Sequence, residues 1–293
     1  MKILVTGATG FVGPSIVQAL RASDREVRVL ARDPGRTAGL SAIGSEVVAG
    51  DVTDPASLQA AVDGCTHVVH LVAIIKGRPA DFERVMTVGT QNVIAAAKSA
   101  GCERFVLMSA LGTSDPPTVP YYAAKRAEER DVKASGLEYT IFRPSFIFGP
   151  GGGALATFMR QVKLSPVVTV IGSGKQRSQP IWRDDVAEYF ARAIADPRAA
   201  NRVFELGGPD TVNWDELYLA IADALGKRRK LLHIPAGLAQ AGARLTERLP
   251  GAPLSSDQVT MIEGADNVVS NSDAADTFAL QLVPLAEQLR RAA

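Results

Sequence analysis

Thr6-Gly7-Ala8-Thr9-Gly10-Phe11-Val12-Gly13, read directly after the apolar run Ile3-Leu4-Val5, decides how this chain is organised. The stretch sits between a first strand and a first helix. Glycines at such a junction permit a tight turn, let the backbone approach a phosphate and bring helix and strand close together, while the helix N-terminus offers free N–H donors and the positive end of its dipole. Pro14 falls in the first helical turn, where its missing N–H costs little. The turn therefore reads as a cradle for a dinucleotide pyrophosphate, with Gly7, Thr9, Gly10, Phe11, Val12 and Gly13 around it. A glycine turn that only reverses the chain is the alternative.

Outward from this turn, short β-branched runs at 3–6, 27–30, 46–49, 67–72, 104–108 and 139–142 alternate with helix-length stretches. The runs are apolar almost throughout, as strands covered on both faces by crossover helices must be. This predicts an α/β fold of the Rossmann type, a doubly wound parallel sheet. After Phe148 the run Gly149-Pro150-Gly151-Gly152-Gly153 breaks the pattern. We place a dinucleotide-binding domain at 1–150 and a smaller C-terminal substrate or partner lobe at 151–293. Asp184-Asp185 heads an apolar helical pattern (Val186, Ala187, Phe190, Ala193, Ile194) that returns to the core, so the lobe is expected to be interleaved with the first domain.

With 46% apolar and 22% charged residues in 293, the composition is that of a globular α/β protein. Lysine plus arginine (32) nearly balance aspartate plus glutamate (31), so no net field recruits nucleic acid. Cys65 and Cys102 stand far apart in the chain without metal-ligand spacing, and His67, His70 and His233 share none, so neither a metal nor a disulfide framework is expected. No room for a signal peptide precedes the glycine turn, and no apolar run reaches the length of a membrane span, which makes a cytoplasmic location the expectation.

The end of the second strand reads Leu30-Ala31-Arg32-Asp33, where an acid would bind the ribose 2′-hydroxyl of NAD(H). Ala31 is uncharged, and Arg32, helped by Arg36, can pair with a 2′-phosphate, which favours NADP(H) over NAD(H). Against this, Arg32 could stack on adenine or face solvent, and Asp33 is one residue away.

The GxxGxxG spacing, Asp51-Val52 after the third strand, Leu71-Val72-Ala73 after the fourth, Tyr121-x-x-x-Lys125 and Arg143-Pro144-Ser145-Phe146-Ile147-Phe148-Gly149-Pro150 together resemble the short-chain dehydrogenase/reductase superfamily over most of the chain. The resemblance implies that Asp51 and Val52 flank the adenine. It implies that Ala73, following Leu71 and Val72, packs near the nicotinamide ribose, and that Pro144 and Ser145 lie against the nicotinamide. Arg143-Pro144-Ser145, the stretch from Gln179 to Ala187 and the tail from Pro253 to Gln258 resemble the atypical branch that includes the nucleotide-binding accessory subunit of respiratory complex I and its bacterial homologues.

Tyr121 and Lys125 fall one helical turn apart, so both can face a cofactor. A phenol of ordinary pKa near ~10 needs a neighbouring ammonium to ease its deprotonation, and Lys125 can also bind the nicotinamide ribose. The charged run Lys125, Arg126, Glu128, Glu129, Arg130 also reads as a plain solvated face. Ser109 is the candidate that polarises a substrate carbonyl, although another register puts Ala110 there; Tyr122 could replace Tyr121, and Thr113 or Ser114 could substitute from the loop.

Three functions follow as expectations. The first is an NADP(H)-dependent oxidoreductase acting on an apolar carbonyl or alcohol substrate. The second is a non-catalytic nucleotide-binding accessory or redox-sensing protein of a respiratory or quinone-related assembly, and the third a sugar-nucleotide epimerase or dehydratase. Lys227-Arg228-Arg229-Lys230 precedes an apolar helical pattern (Leu231, Leu232, Ile234, Leu238, Ala239, Leu245, Leu249), which allows peripheral membrane or quinone-related contact through the C-terminal lobe, or a solvated helix end beside a core helix. Gly172-Ser173-Gly174-Lys175 reads as a turn, with anion binding as the alternative, and Trp182 and Trp214 read as packing residues.

Overall fold

The computed structural model describes residues 1–113, 117–247, 254–270 and 272–293; Ser114, Leu249 and Pro253 lie outside them. Strands β1 (Lys2–Thr6), β2 (Glu26–Ala31), β3 (Glu46–Ala49), β4 (His67–His70), β5 (Arg104–Met108) and β6 (Glu138–Pro144) form where the β-branched runs stand, and Arg202–Leu206 adds a seventh at one edge. The order in space is Arg202–Leu206, β6, β5, β4, β1, β2, β3, every neighbouring pair parallel. This is the Rossmann sheet that the alternation predicts. Arg202-Val203-Phe204-Glu205-Leu206 gives a weaker signal because an edge strand need not be apolar throughout. Its Arg202 instead pairs with Asp273 and lies over the Phe204 ring.

Ile3 is registered with Val27 on one side and His67 on the other, so β1 lies where the strand order reverses. In open parallel sheets that crevice, at the carboxyl ends of the strands, is where ligands bind. β1 is wholly buried from Ile3 to Thr6, as a strand between two helix layers must be. Helix α1 (Gly13–Ala22) buries Ile16, Val17 and Leu20 and is tied to the helix Arg183–Ala193 by the Ser15 hydroxyl, which donates to Asp184 at 2.8 Å. Then follow α2 (Ala38–Ala42), α3 (Pro55–Val62), capped by the Asp54 carboxylate, and α4 (Pro79–Phe82). A π-helical stretch, Glu83–Val88, joins α4 to α5 (Gly89–Ser99), and α6 (Pro120–Lys133) precedes β6.

Two compact units make up the chain. The first comprises Met1–Pro144, Arg183–Leu206 and Asn271–Leu280, the second Ser145–Trp182, Gly207–Ser270 and Gln281–Ala293. The first has its core on the sheet, around Leu4, Leu58, Val68, Val93, Phe105 and Ile141. In the second, Trp182 and Trp214 are buried with Phe148, Phe158, Leu217 and Leu289. There Val167–Ile171 pairs in parallel with Lys230–Ile234, and Asn213 and Glu216 form a capping box at the start of the helix Trp214–Ala224. Among the described residues no helix is long and apolar enough to cross a membrane.

Candidate functional site

The three glycines of the N-terminal turn differ in what a side chain would meet. Gly7 has φ +75°, and a Cβ there would lie 2.8 Å from the Leu71 carbonyl carbon and the Val72 nitrogen. At Gly13 a Cβ would lie 2.3 Å from the Ala8 carbonyl oxygen. Both glycines serve the packing of strand, turn and helix. Gly10 is exposed, and its Cβ would meet only the Gly7 oxygen, at 3.1 Å. This is the bare backbone that a pyrophosphate needs beside a helix N-terminus, so the turn fits a dinucleotide. Thr9 and Phe11 are half-buried beside it, Val12 caps α1 from a buried position, and the Arg183 guanidinium lies 5.5 Å from the centre of the Phe11 ring.

Arg32 is exposed at the end of β2, and Arg36 is exposed on the following turn. The Asp33 carboxylate accepts from the Gly35 N–H at 3.0 Å and caps that turn. Asp51 folds its carboxylate onto the Thr53 N–H and hydroxyl, while buried Val52 packs where a Cβ on Gly89 would meet it at 2.8 Å. The Val52 carbonyl accepts from Asn92 at 2.9 Å, so α5 anchors this loop. Leu71 is buried and continues the β1–β4 ladder by donating to the Thr6 carbonyl; Val72 is half-buried and Ala73 exposed. Pro144 closes β6 and accepts from the Leu111 N–H at 2.9 Å. Ser145 donates to Asn267, an amide that no sequence pattern singled out.

Tyr121 is half-buried on α6 against Phe82, Met86 and Ala124. Tyr122 is buried, with its ring edge-on to Tyr121 and its hydroxyl against Gly112, and burial pushes its phenol up to about 12. Lys125 is only 2% exposed, and its Nζ donates to the Met108 carbonyl at 2.7 Å and pairs with Glu128 at 2.9 Å. The run from Lys125 to Arg130 is therefore not a solvated face: Lys125, Glu128 and Glu129 point inward because Tyr121, Lys125, Glu128 and Val132 form one helical stripe. That spacing was the available signal for Glu128, obscured by the charge of its members.

Two buried polar networks meet α6. In one, Thr6 Oγ1 lies 2.7 Å from His70 Nδ1, His70 Nε2 lies 2.9 Å from Thr90 Oγ1, and Thr90 donates to Glu128 Oε1 at 3.3 Å. A Thr90 hydroxyl that donates to Glu128 must accept from His70, which places the ring proton on Nε2 and leaves Nδ1 to accept from Thr6. In the other, Ser109 donates to Glu129 Oε1 at 2.6 Å and Arg143 grips the same carboxylate at 2.8 and 2.6 Å. The hydroxyl expected to polarise a substrate carbonyl thus gives its proton to Glu129. Burial raises the Glu129 carboxyl, but Arg143 and Ser109 outweigh it and hold the group below the usual range. A cavity of about 650 Å³ opens at the start of α6, lined by Pro79, Phe82, Glu83, Val119, Pro120 and Ala124.

A reversed-order parallel sheet with a bare glycine cradle at its switch point defines a Rossmann dinucleotide-binding protein. The chain belongs to the NAD(P)H-binding family, which it matches over residues 7–197. It is similar to the ceramide reductase of Caulobacter vibrioides, with 31% identity over 243 residues, 82% of this chain and 76% of that protein. It is also similar to the NAD(P)H azoreductase of Xenophilus azovorans, with 26% identity over 247 residues, 83% and 80% of the two chains. Among solved structures, the Citrobacter sp. triphenylmethane reductase complexed with NADP(H) shares the fold at a TM-score of 0.80 and 21% identity, over 100% of both chains. The family is oxidoreductase-like and includes reductases and epimerases.

Proposed function

We propose that the protein is an NADPH-preferring oxidoreductase of an apolar carbonyl or alcohol, in which Tyr121 exchanges the substrate proton and Lys125 holds the nicotinamide ribose. The observation that carries this reading is the placement of Tyr121 and Lys125 one turn apart on α6, with Nζ anchored on the Met108 carbonyl at the end of β5. Lys125 Nζ donates one N–H to the Met108 carbonyl and is charge-paired with Glu128, so an N–H of this ammonium is the donor offered to a ribose. When bound, the reduced nicotinamide supplies the hydride. NADPH preference is supported by exposed Arg32 and by Asp33, whose carboxylate is occupied in capping its own turn. A nucleotide-binding protein without turnover is the second reading, favoured by the engagement of Ser109 with Glu129.

Calorimetric titration of NADPH and NADH against the wild type and Arg32→Ala tests the cofactor assignment. NADPH affinity should fall about 10- to 100-fold with NADH unchanged, as loss of a charge-assisted contact predicts; equal binding of both overturns the preference. Tyr121→Phe should slow NADPH oxidation by a model apolar ketone about 10²- to 10⁴-fold. An undiminished rate removes Tyr121 from the reaction.

For the second unit, contact with an anionic lipid surface is proposed from Leu232, Leu238 and Leu245, which are 52%, 65% and 81% exposed beside the basic run 227–230. Sedimentation with phosphatidylserine vesicles, lost in Leu238→Ser/Leu245→Ser, tests it; no sedimentation of the wild type refutes it.

A further inference from the structure

Glu128 is a carboxylate with no solvent exposure, yet the tyrosine–lysine chemistry just proposed has no need of it. An ammonium next to a tyrosine promotes phenolate formation only if its charge is felt at the phenol. Here a carboxylate stands 2.9 Å from Nζ, one turn beyond Lys125 on the same stripe as Tyr121. In a low-dielectric interior a neighbouring opposite charge cancels most of the field that the ammonium would otherwise project. Thr90 donates to the other oxygen of Glu128, and the hydrogen-bond chain back to Thr6 runs with one polarity, which holds this carboxylate as an acceptor.

We propose that Glu128 is a positioning residue that neutralises Lys125 and keeps Tyr121 a protonated phenol, the proton donor when a carbonyl is reduced. The proposal rests on Tyr121 being the proton-exchanging group. In the forward step the hydride from the reduced nicotinamide dinucleotide forms the new C–H bond, the carbonyl π electrons move to oxygen, and the Tyr121 O–H bond breaks to give that oxygen its proton. The products are the alcohol, the oxidised dinucleotide and a tyrosinate that is reprotonated from solvent.

The charged and titratable groups around this stripe support the assignment. From β4, His70 is kept neutral by burial and by the Lys125 charge. On α6 itself Glu129 is bound to Arg143 of β6, and Tyr122 is turned against Gly112. On the π-helical stretch Glu83 and Arg84 are exposed. Burial first, and then the Glu128 charge, raise the Tyr121 phenol above its ordinary range. Burial pushes the Glu128 carboxyl up, opposed by Lys125 and Thr90.

The test uses the full chain without cofactor, labelled with ¹³Cζ-tyrosine, in which the five tyrosines give five resonances and Tyr121→Phe assigns one. In the wild type the Tyr121 resonance should remain that of a phenol up to about pH 11, above the ordinary phenol value. In Glu128→Gln its titration should move down by about one unit or more, and Glu128→Asp should restore most of the shift. A wild-type Tyr121 that ionises below the ordinary phenol value, or an unchanged titration in Glu128→Gln, overturns the proposal. The wild-type arm can overturn the proposal even if Glu128→Gln does not fold, and Glu128→Asp then supplies the second variant. Because no turnover is involved, failure here is separate from failure of the Tyr121→Phe rate test.

Discussion

Ser109 donates its hydroxyl proton to the Glu129 carboxylate at 2.6 Å, within a site where Arg143 holds both carboxylate oxygens. The end of β5, the middle of α6 and the end of β6 are thereby pinned to one another. Ser109→Ala removes a hydrogen bond to a charged, buried acceptor and should destabilise the protein by about 1–3 kcal/mol in urea unfolding. As a strut, Ser109 should leave NADPH oxidation within about tenfold of wild type, well short of the effect expected for a lost oxyanion donor. A larger rate loss at unchanged stability would return Ser109 to the reaction.

Arg143→Ala is a harsher change. Among the described residues it leaves the Glu129 charge, whose side chain is 4% exposed, with Ser109 and a longer contact to Lys133 at 3.5 Å. Removing one partner of such a pair costs about 3 kcal/mol or more. Thermal unfolding should show a lowered midpoint for Arg143→Ala, partly recovered in Arg143→Lys; equal midpoints would show that the pair does not hold these elements together.

His70 gives the stability a pH dependence of definite sign. Burial, with the Lys125 charge second, lowers its imidazole from 6.5 to about 3. Its folded value is depressed, so its contribution is complete above the unfolded value and is lost as pH falls through the window from about 6.5 to about 3. There the unfolded chain binds a proton that the native chain refuses, with a limiting slope of about 1.4 kcal/mol per pH unit. Urea unfolding of the wild type and His70→Gln between pH 4.5 and pH 6.5 checks this: the wild type should lose more stability on acidification than the variant. Parallel curves would mean that His70 titrates normally.

Gly10 and Gly13 should part company when each is changed to alanine. At Gly13 the added Cβ would stand 2.3 Å from backbone oxygen, so strand and helix must separate and the protein should unfold at lower urea. At Gly10 the nearest atom is 3.1 Å away, and the loss should fall on dinucleotide affinity with near-wild-type stability. Calorimetry beside urea unfolding separates the two; a Gly10→Ala protein that binds NADPH normally would show that the dinucleotide does not pack on that backbone.

The sheet was legible because its strands are buried on both faces and announce themselves as short apolar runs, as at Ile3-Leu4-Val5 and Val68-Val69. The seventh strand was not, since an edge position at Arg202–Leu206 accepts charged residues that blur the pattern.

What the sequence determined alone is the set of features that depend on neighbouring residues: the strand–glycine–helix unit from Ile3 to Gly13, the turn chemistry at Arg32 and Asp33, and the spacing that puts Tyr121 and Lys125 on one helical face. What only the tertiary structure decided is which polar groups leave water together. Glu128 and Glu129 look like surface charges until Thr90, Ser109 and Arg143 converge on them from three other places in the chain, beside Lys125 on their own helix. A charged side chain is buried only where distant partners replace its hydration, and which partners arrive is a property of the fold rather than of local spacing.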